Sequence, residues 1–211
     1  MMFFRFCLRL SLLLALFGCG AGQADDNISS QIWTWLTSSE DDVSAAPDVG
    51  ALRAGLTPAV LAQIGEPVLI AQVPSRNAVA AMVRIGSNNG VDTYLTPDGI
   101  SISTRDGMIV GTRGFGFDLM TADIAEPLSA VTGRADRAVR VHRYLDGENQ
   151  LIIRSFACRY AAAGDRRIAE TCQSSDFSFV NDYVVDEQGR IRSSRQWMSP
   201  QIGSILTEHV E

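Results

Sequence analysis

Turn dipeptides punctuate this chain at close intervals, and that spacing constrains its fold more than any other feature. Asn89-Gly90, Asp98-Gly99, Asp106-Gly107, Asp146-Gly147 and Gln188-Gly189 each separate two short apolar runs. Asn-Gly and Asp-Gly pairs tolerate positive φ at both central residues, which matches the twist of an antiparallel hairpin. The runs between them read as strands over 68–73, 78–85, 91–96, 100–104 and 108–113, then 138–145, 151–160, 177–185 and 190–198, with 202–208 as a last strand. In the fourth run Ile100, Ile102 and Thr104 alternate with Ser101, Ser103 and Arg105, the period of a half-buried strand. A βαβ unit needs a helix between its strands, and these turns leave no room for one. The predicted fold class is therefore all-β: an antiparallel meander forming a barrel or sandwich-like domain. Short N-terminal helices precede it. Thr57-Pro58 supplies an N-cap and a first helical residue, and Gly65 ends that helix. Asp25 or Asp26 can cap an earlier one through Ile32, Trp33, Trp35 and Leu36, and residues 38–50 form a polar, acidic linker.

The first residues do not belong to the fold. Arg5 and Arg9 precede an apolar stretch, Leu10 to Phe17, followed by Gly18-Cys19-Gly20. A basic start, a short apolar run and small residues after it make a secretory signal peptide. The run is well short of the roughly 20 residues that span a bilayer. Leu16-Phe17-Gly18-Cys19 is similar to a bacterial lipobox, in which the cysteine is acylated and becomes the new N-terminus. Cleavage after Ala21 or Ala24 is the alternative. Glycine rather than aspartate after the cysteine implies, by that similarity, the outer membrane. The expected organisation is a signal peptide over 1–18, a lipidated N-terminus with short helix and acidic linker over 19–53, and a periplasmic β domain over 54–211. The strands are too short and carry too many arginines for a lipid-facing transmembrane barrel.

With Cys7 leaving in the signal peptide and Cys19 taken by lipid, Cys158 and Cys172 remain. An even pair in an oxidising compartment reads as a structural disulfide closing a loop of about 15 residues. A metal-binding or catalytic thiol role is the alternative, and nothing nearby supplies a general base or further ligands.

Composition removes several function classes. At 46% hydrophobic the chain is not disordered, and a net charge of -6 argues against nucleic acid as a partner. All 18 basic residues are arginine, which excludes lysine Schiff-base chemistry and a P-loop lysine. With two histidines, His142 and His209, a His-rich metal site is excluded, and no metal or cofactor is expected. His142 shares a strand side with Arg140 and Tyr144 and reads as a surface histidine; His209, near the terminus, reads as mobile. Asp118 and Asp123 are a weak candidate pair of catalytic carboxylates.

One segment is unusual. Gly111, Gly114 and Gly116 free the backbone while Phe115, Phe117, Leu119 and Met120 make the loop apolar. It reads as a glycine-kinked strand leading into a packed corner of the barrel, or as a docking surface in which Arg113 and Asp118 pair with each other or with a partner. Together with the lipobox, the runs VDTYLTPDGISISTRDGMIVGTRGFGFDLMTAD and NDYVVDEQGRIRSSRQWMSPQIG resemble the YjbF/GfcB family, lipoproteins of group 4 capsule and exopolysaccharide gene clusters. The resemblance covers most of residues 54–207. It differs at Phe115 and Phe117, where the family's usual text is leaner, and in the acidic linker. The family's cysteine pair before the final hairpin fits Cys158 and Cys172.

The resemblance implies an outer-membrane-anchored periplasmic protein of antiparallel β fold. It acts in polysaccharide production or export beside an outer-membrane β-barrel and a second periplasmic protein, with no catalytic residues to carry over. On this reading the protein is not an enzyme. Residues 134–195 hold 11 arginines against 9 acids and offer a cationic face to an anionic polymer, lipid phosphates or the partner barrel, with Arg190, Arg192 and Arg195 as candidates. The same arginines, scattered among acids, also fit a merely solvated outer face. Trp197 with Tyr183 or Tyr160 can stack on sugar if exposed, core packing being the commoner fate of such rings. The competing class is a hydrolase or lyase built on His142 and Tyr144, or a carrier holding an acyl chain or sugar.

Overall fold

The computed structural model describes residues 48–210. Two short helices, α1 (Val49–Gly55) and α2 (Pro58–Ile64), lead into twelve strands. These are β1 (Val68–Val73), β2 (Ala78–Asn88), β3 (Val91–Leu95), β4 (Ser101–Arg105), β5 (Met108–Arg113) and β6 (Leu119–Asp123), then, after helix α3 (Ala125–Val131), β7 (Arg137–Leu145), β8 (Leu151–Gly164), β9 (Arg167–Gln173), β10 (Ser178–Val185), β11 (Ile191–Ser199) and β12 (Gly203–Val210). All described strand pairs are antiparallel, and the order is β5-β4-β3-β2-β1-β12-β11-β10-β9-β8-β7-β6. Every neighbour is consecutive in sequence except β1 and β12, whose pairing joins the two ends of the domain. The sheet curls until β5 and β6 meet, giving a nearly closed barrel. At that seam Leu119 N donates to Thr112 Oγ1 at 3.0 Å and Arg113 Nη1 donates to the Leu119 carbonyl at 3.2 Å.

The turn chemistry does what the sequence requires of it. Asn89 and Gly90 lie at φ 49° and 74°, Asp106 and Gly107 at 49° and 83°. Thr57 Oγ1 accepts the Val60 N–H at 3.3 Å, and Gly65 closes α2 in the left-handed conformation. α1 and α2 cover the outer face of β1 and β2, where Leu56, Val68, Ile70 and Ala81 form a second small core. β1 is thus buried on both faces, which explains its apolar run from Val68 to Ala71.

Three elements escape the sequence reading. β9 presents Glu170 and Cys172 to the interior, so it has no apolar alternation to detect. β6 is five residues long and follows the glycine-rich turn; α3 lacks a side-chain N-cap and contains Pro127.

The opposing walls of the barrel touch. Gln196 on β11 reaches across to β5, its Oε1 accepting the Ile109 N–H at 3.1 Å and its Nε2 donating to the Gly107 carbonyl at 3.3 Å. A Cβ on Gly107 would lie 2.7 Å from the Ile191 Cβ and 2.8 Å from its carbonyl oxygen. Gly107→Ala is therefore expected to cost at least about 2 kcal/mol, and Gly90→Ala, with open space around it, about 1 kcal/mol. Urea midpoints of the two variants measure the difference; equal values would mean that the Ile191 contact carries nothing.

Candidate functional site

The interior holds a charged network where a barrel core would ordinarily be apolar. Glu170 faces Tyr160 across the β8–β9 ladder and Asn181 across β9–β10. Its carboxylate receives Arg140 Nε and Nη2, each at 2.9 Å, Tyr183 Oη and Asn181 Nδ2, each at 2.7 Å, and the Tyr160 hydroxyl. Arg140 also donates to Tyr183 Oη at 2.8 Å. Arg140, Glu170, Asn181 and Tyr183 are fully buried. Burial pushes the Glu170 carboxyl up, but Arg140 and the hydroxyl donors outweigh it and hold it below the usual range. Burial raises both tyrosines, with Glu170 adding to the effect. The group is a satisfied ion pair that ties β7, β8, β9 and β10 together.

Cys158 and Cys172 sit directly opposite each other on β8 and β9, two ladder positions along from Tyr160 and Glu170 and so on the same inner face. They form a disulfide across 14 residues of sequence. The sulfurs bind each other, so they are not available as metal ligands beside Glu170.

The structure overturns the expectation of a surface His142. This residue is fully buried, among Tyr144, Phe156, Phe179 and Trp197. The Tyr144 hydroxyl donates to the Met198 carbonyl, so it can only accept from His142 Nδ1, 2.9 Å away. Nδ1 then carries the imidazole proton, and the Nε2 lone pair has no partner. Burial, followed by the Arg140 and Arg154 charges, holds the imidazole well below its usual pKa. The folded state keeps this histidine neutral while the unfolded chain protonates near pH 6.5, so stability should decline as pH falls below about 6.5. The slope can reach about 1.4 kcal/mol per pH unit. His142→Phe should flatten it between about pH 6.5 and 4.5; an unchanged slope would contradict a neutral, buried imidazole.

The remaining predicted residues divide between interior, turn and surface. Tyr160 and Tyr183 belong to the buried network, and Trp197 stacks on Phe179 with centroids 4.5 Å apart. His209 lies on β12 with its ring edge-on to Tyr94, not in a mobile tail. The glycine-rich segment is the β5–β6 turn. Asp118 Oδ1 accepts from Thr112 Oγ1 at 2.9 Å and the Phe115 N–H at 3.1 Å, and Oδ2 accepts the Gly114 N–H at 3.0 Å. Phe115 is buried, and Phe117 stacks on Tyr144 at 5.0 Å. Arg113 donates to the Thr112 and Leu119 carbonyls, and no ion pair joins it to Asp118 among the described residues. Asp123 Oδ1 accepts the Ala125 N–H at the start of α3. Asp118→Ala removes three acceptor contacts and is expected to cost about 1–3 kcal/mol by thermal unfolding.

The arginines are not one face. Arg190 and Arg192 both hold Asp186, at 2.8 and 2.9 Å. Slight burial opposes ionisation of that carboxyl, but the N–H donors and guanidinium of Arg190 keep it at about 2. Arg195 instead lines a groove of about 420 Å³ on the outer face, with Val49, Arg53, Arg167, Asp182 and Glu208 among the residues around it. Arg53 is paired with Glu208. Arg195 and Arg167 are exposed, and neither has a hydrogen-bond or ion-pair partner among the described residues. Arg167 escapes the sequence reading because its strand does. Cys19 lies outside the described residues.

A disulfide-stapled antiparallel barrel, filled by its own side chains and flanked by an N-terminal segment, is the class that fold and site define. A crystal structure described as the hypothetical lipoprotein YmcC from Escherichia coli (K12) has a similar fold. The two have a TM-score of 0.61 and 17% sequence identity, over 80% of this chain and 97% of that one. Residues 26–210 match the family model YjbF, described as group 4 capsule polysaccharide lipoprotein gfcB, and the chain belongs to that family. No curated protein matches the chain. The family is associated with capsule polysaccharide, in keeping with the expectation drawn from the two quoted runs.

Proposed function

We propose that this protein is a lipoprotein anchored through Cys19 in the outer membrane and facing the periplasm, which promotes capsule or exopolysaccharide export by contact and not by catalysis. The supporting observation is where its chemistry lies. The histidine–tyrosine pair of the competing enzyme reading, His142 and Tyr144, and the network groups Tyr160, Glu170 and Tyr183 are inside the barrel, while Asp118 and Asp123 are taken up by backbone and side-chain donors of their own turns. A polymer chain cannot reach the interior groups without opening the sheet. The same packing leaves the interior filled, which argues against an acyl-chain carrier.

Contact then falls to the outer surface. There Arg167 and Arg195, which have no partner among the described residues, can meet carboxylates, on a polymer or on a protein such as an outer-membrane β-barrel of the export apparatus. Isolation of the lipidated protein from native membranes of cells exporting polymer tests this. An outer-membrane β-barrel should accompany it, and recovery should drop when Arg167 and Arg195 are both changed to Gln. Recovery of the lipoprotein alone contradicts the reading.

A further inference from the structure

The outer face of β7 and β8 is cationic in an acidic protein. Side chains alternate across a strand, and the outward phase of these two carries Arg137, Arg143 and Arg159 and no acid, although the chain has a net charge of -6. None of the three has a hydrogen-bond or ion-pair partner among the described residues. Arg137 stands directly opposite Arg159 in the register, a like-charge pairing that costs a sheet stability. Asp123, Glu126 and Asp146, which border the face, each accept backbone N–H groups.

The same face is apolar. Five large hydrophobic side chains are exposed among the described residues, and all but Ile85 lie here. Leu151, Ile153 and Val139 are 57%, 55% and 49% exposed, and Val180 continues the row of Arg137, Arg159 and Thr171 onto β10. Ile153 is directly opposite Arg143.

Arginine interleaved with aliphatic side chains suits the surface of a bilayer. Guanidinium groups bind phosphate oxygens, while the aliphatic groups enter the boundary between headgroups and acyl chains. The outward phase of β7 and β8 has no aromatic ring to stack on a sugar, which argues against a polysaccharide as the occupant. A protein held beside a membrane meets it at high effective concentration, so a few contacts suffice.

We propose that the outer face of β7 and β8 lies on an anionic phospholipid bilayer, with Arg137, Arg143 and Arg159 on headgroup phosphates and Val139, Leu151 and Ile153 in the interface. This rests on the proposed Cys19 anchor only for the nearness of a membrane, and its test uses unlipidated protein, so that the two fail separately.

Protein of residues 19–211 with Cys19→Ala carries no acyl chain. It should co-sediment with vesicles containing phosphatidylglycerol at low ionic strength but not with vesicles of phosphatidylcholine alone, and binding should drop in about 0.5 M salt. R137Q/R143Q/R159Q should weaken binding at least about tenfold, and V139S/L151S/I153S should weaken it several-fold. R53Q/R105Q/R190Q makes the same change in net charge elsewhere and should bind as its parent does. With the native disulfide intact, a fluorophore on Ile153→Cys should shift to shorter wavelength when vesicles are added, and one on Ile85→Cys, exposed on β2, should not. Equal losses in the two arginine triple variants would assign the binding to overall charge and overturn the proposal. So would an absence of binding to phosphatidylglycerol vesicles at low salt, or a shift at Ile85 in place of Ile153.

Discussion

Glu170→Leu is expected to destabilise the protein by about 3–5 kcal/mol, enough to unfold much of it if total stability is in the usual range of about 5–15 kcal/mol. The substitution leaves the Arg140 guanidinium inside the barrel, its side chain 1% exposed, with no counter-charge. It also takes the acceptor from Asn181, Tyr160 and Tyr183. Arg140→Met in the same background should restore part of the loss by removing the unpaired charge. Recovery stays incomplete because the hydroxyls and amide remain buried without a carboxylate. Urea unfolding followed by tryptophan fluorescence measures all three proteins; a Glu170→Leu effect under about 1 kcal/mol would mean that the network is solvated and not sealed.

The same pair sets a pH dependence in acid. The folded carboxyl lies below its unfolded value near 4.3, so its contribution is fully present above that pH. It is lost as pH falls from there through the folded value. This window opens at a lower pH than that of His142, so the stability–pH profile should steepen further as pH falls past about 4.3.

Removing the disulfide is the second large effect. Cys158→Ala/Cys172→Ala frees a loop of sequence separation 14, worth about 3 kcal/mol on the chain-entropy model. The alanines also leave space in a core where both cysteines are buried. A loss of about 2–5 kcal/mol is expected. Reductant added to the native protein should act only as fast as the hairpin opens. Because Cys172 is two residues from Glu170, the disulfide and network variants should not be additive. Loss of less than about 1 kcal/mol would show that the β8–β9 ladder alone sets this register.

The hairpins were legible because their turns are written in local chemistry: Asn89-Gly90 and Asp106-Gly107 need no distant partner to declare themselves. The network was not. On β7 the inward phase is Ala138, Arg140, His142 and Tyr144, while Val139 and Val141 point outward, Val139 being 49% exposed. Both phases mix apolar and polar residues, so alternation cannot say which faces the core. Reading Arg140 and Glu170 as partners requires the register of four strands, and that emerges only when the sheet closes. His142 failed for the same reason. The β5–β6 turn was half readable: its glycines announced the bend, but the role of Asp118 as acceptor for the Gly114 and Phe115 N–H groups depends on the fold-back. The groove draws on α1, β1 and β9–β12, so no short motif encodes it.

Export by contact makes one measurement decisive: the amount and chain-length distribution of extracellular polymer from a deletion strain complemented with wild-type or Cys19→Ala protein. Wild type should restore the amount; Cys19→Ala should leave it low, with the residual polymer unchanged in length. Normal secretion by Cys19→Ala cells, or polymer of altered length at normal yield, would contradict an anchored protein that works by binding.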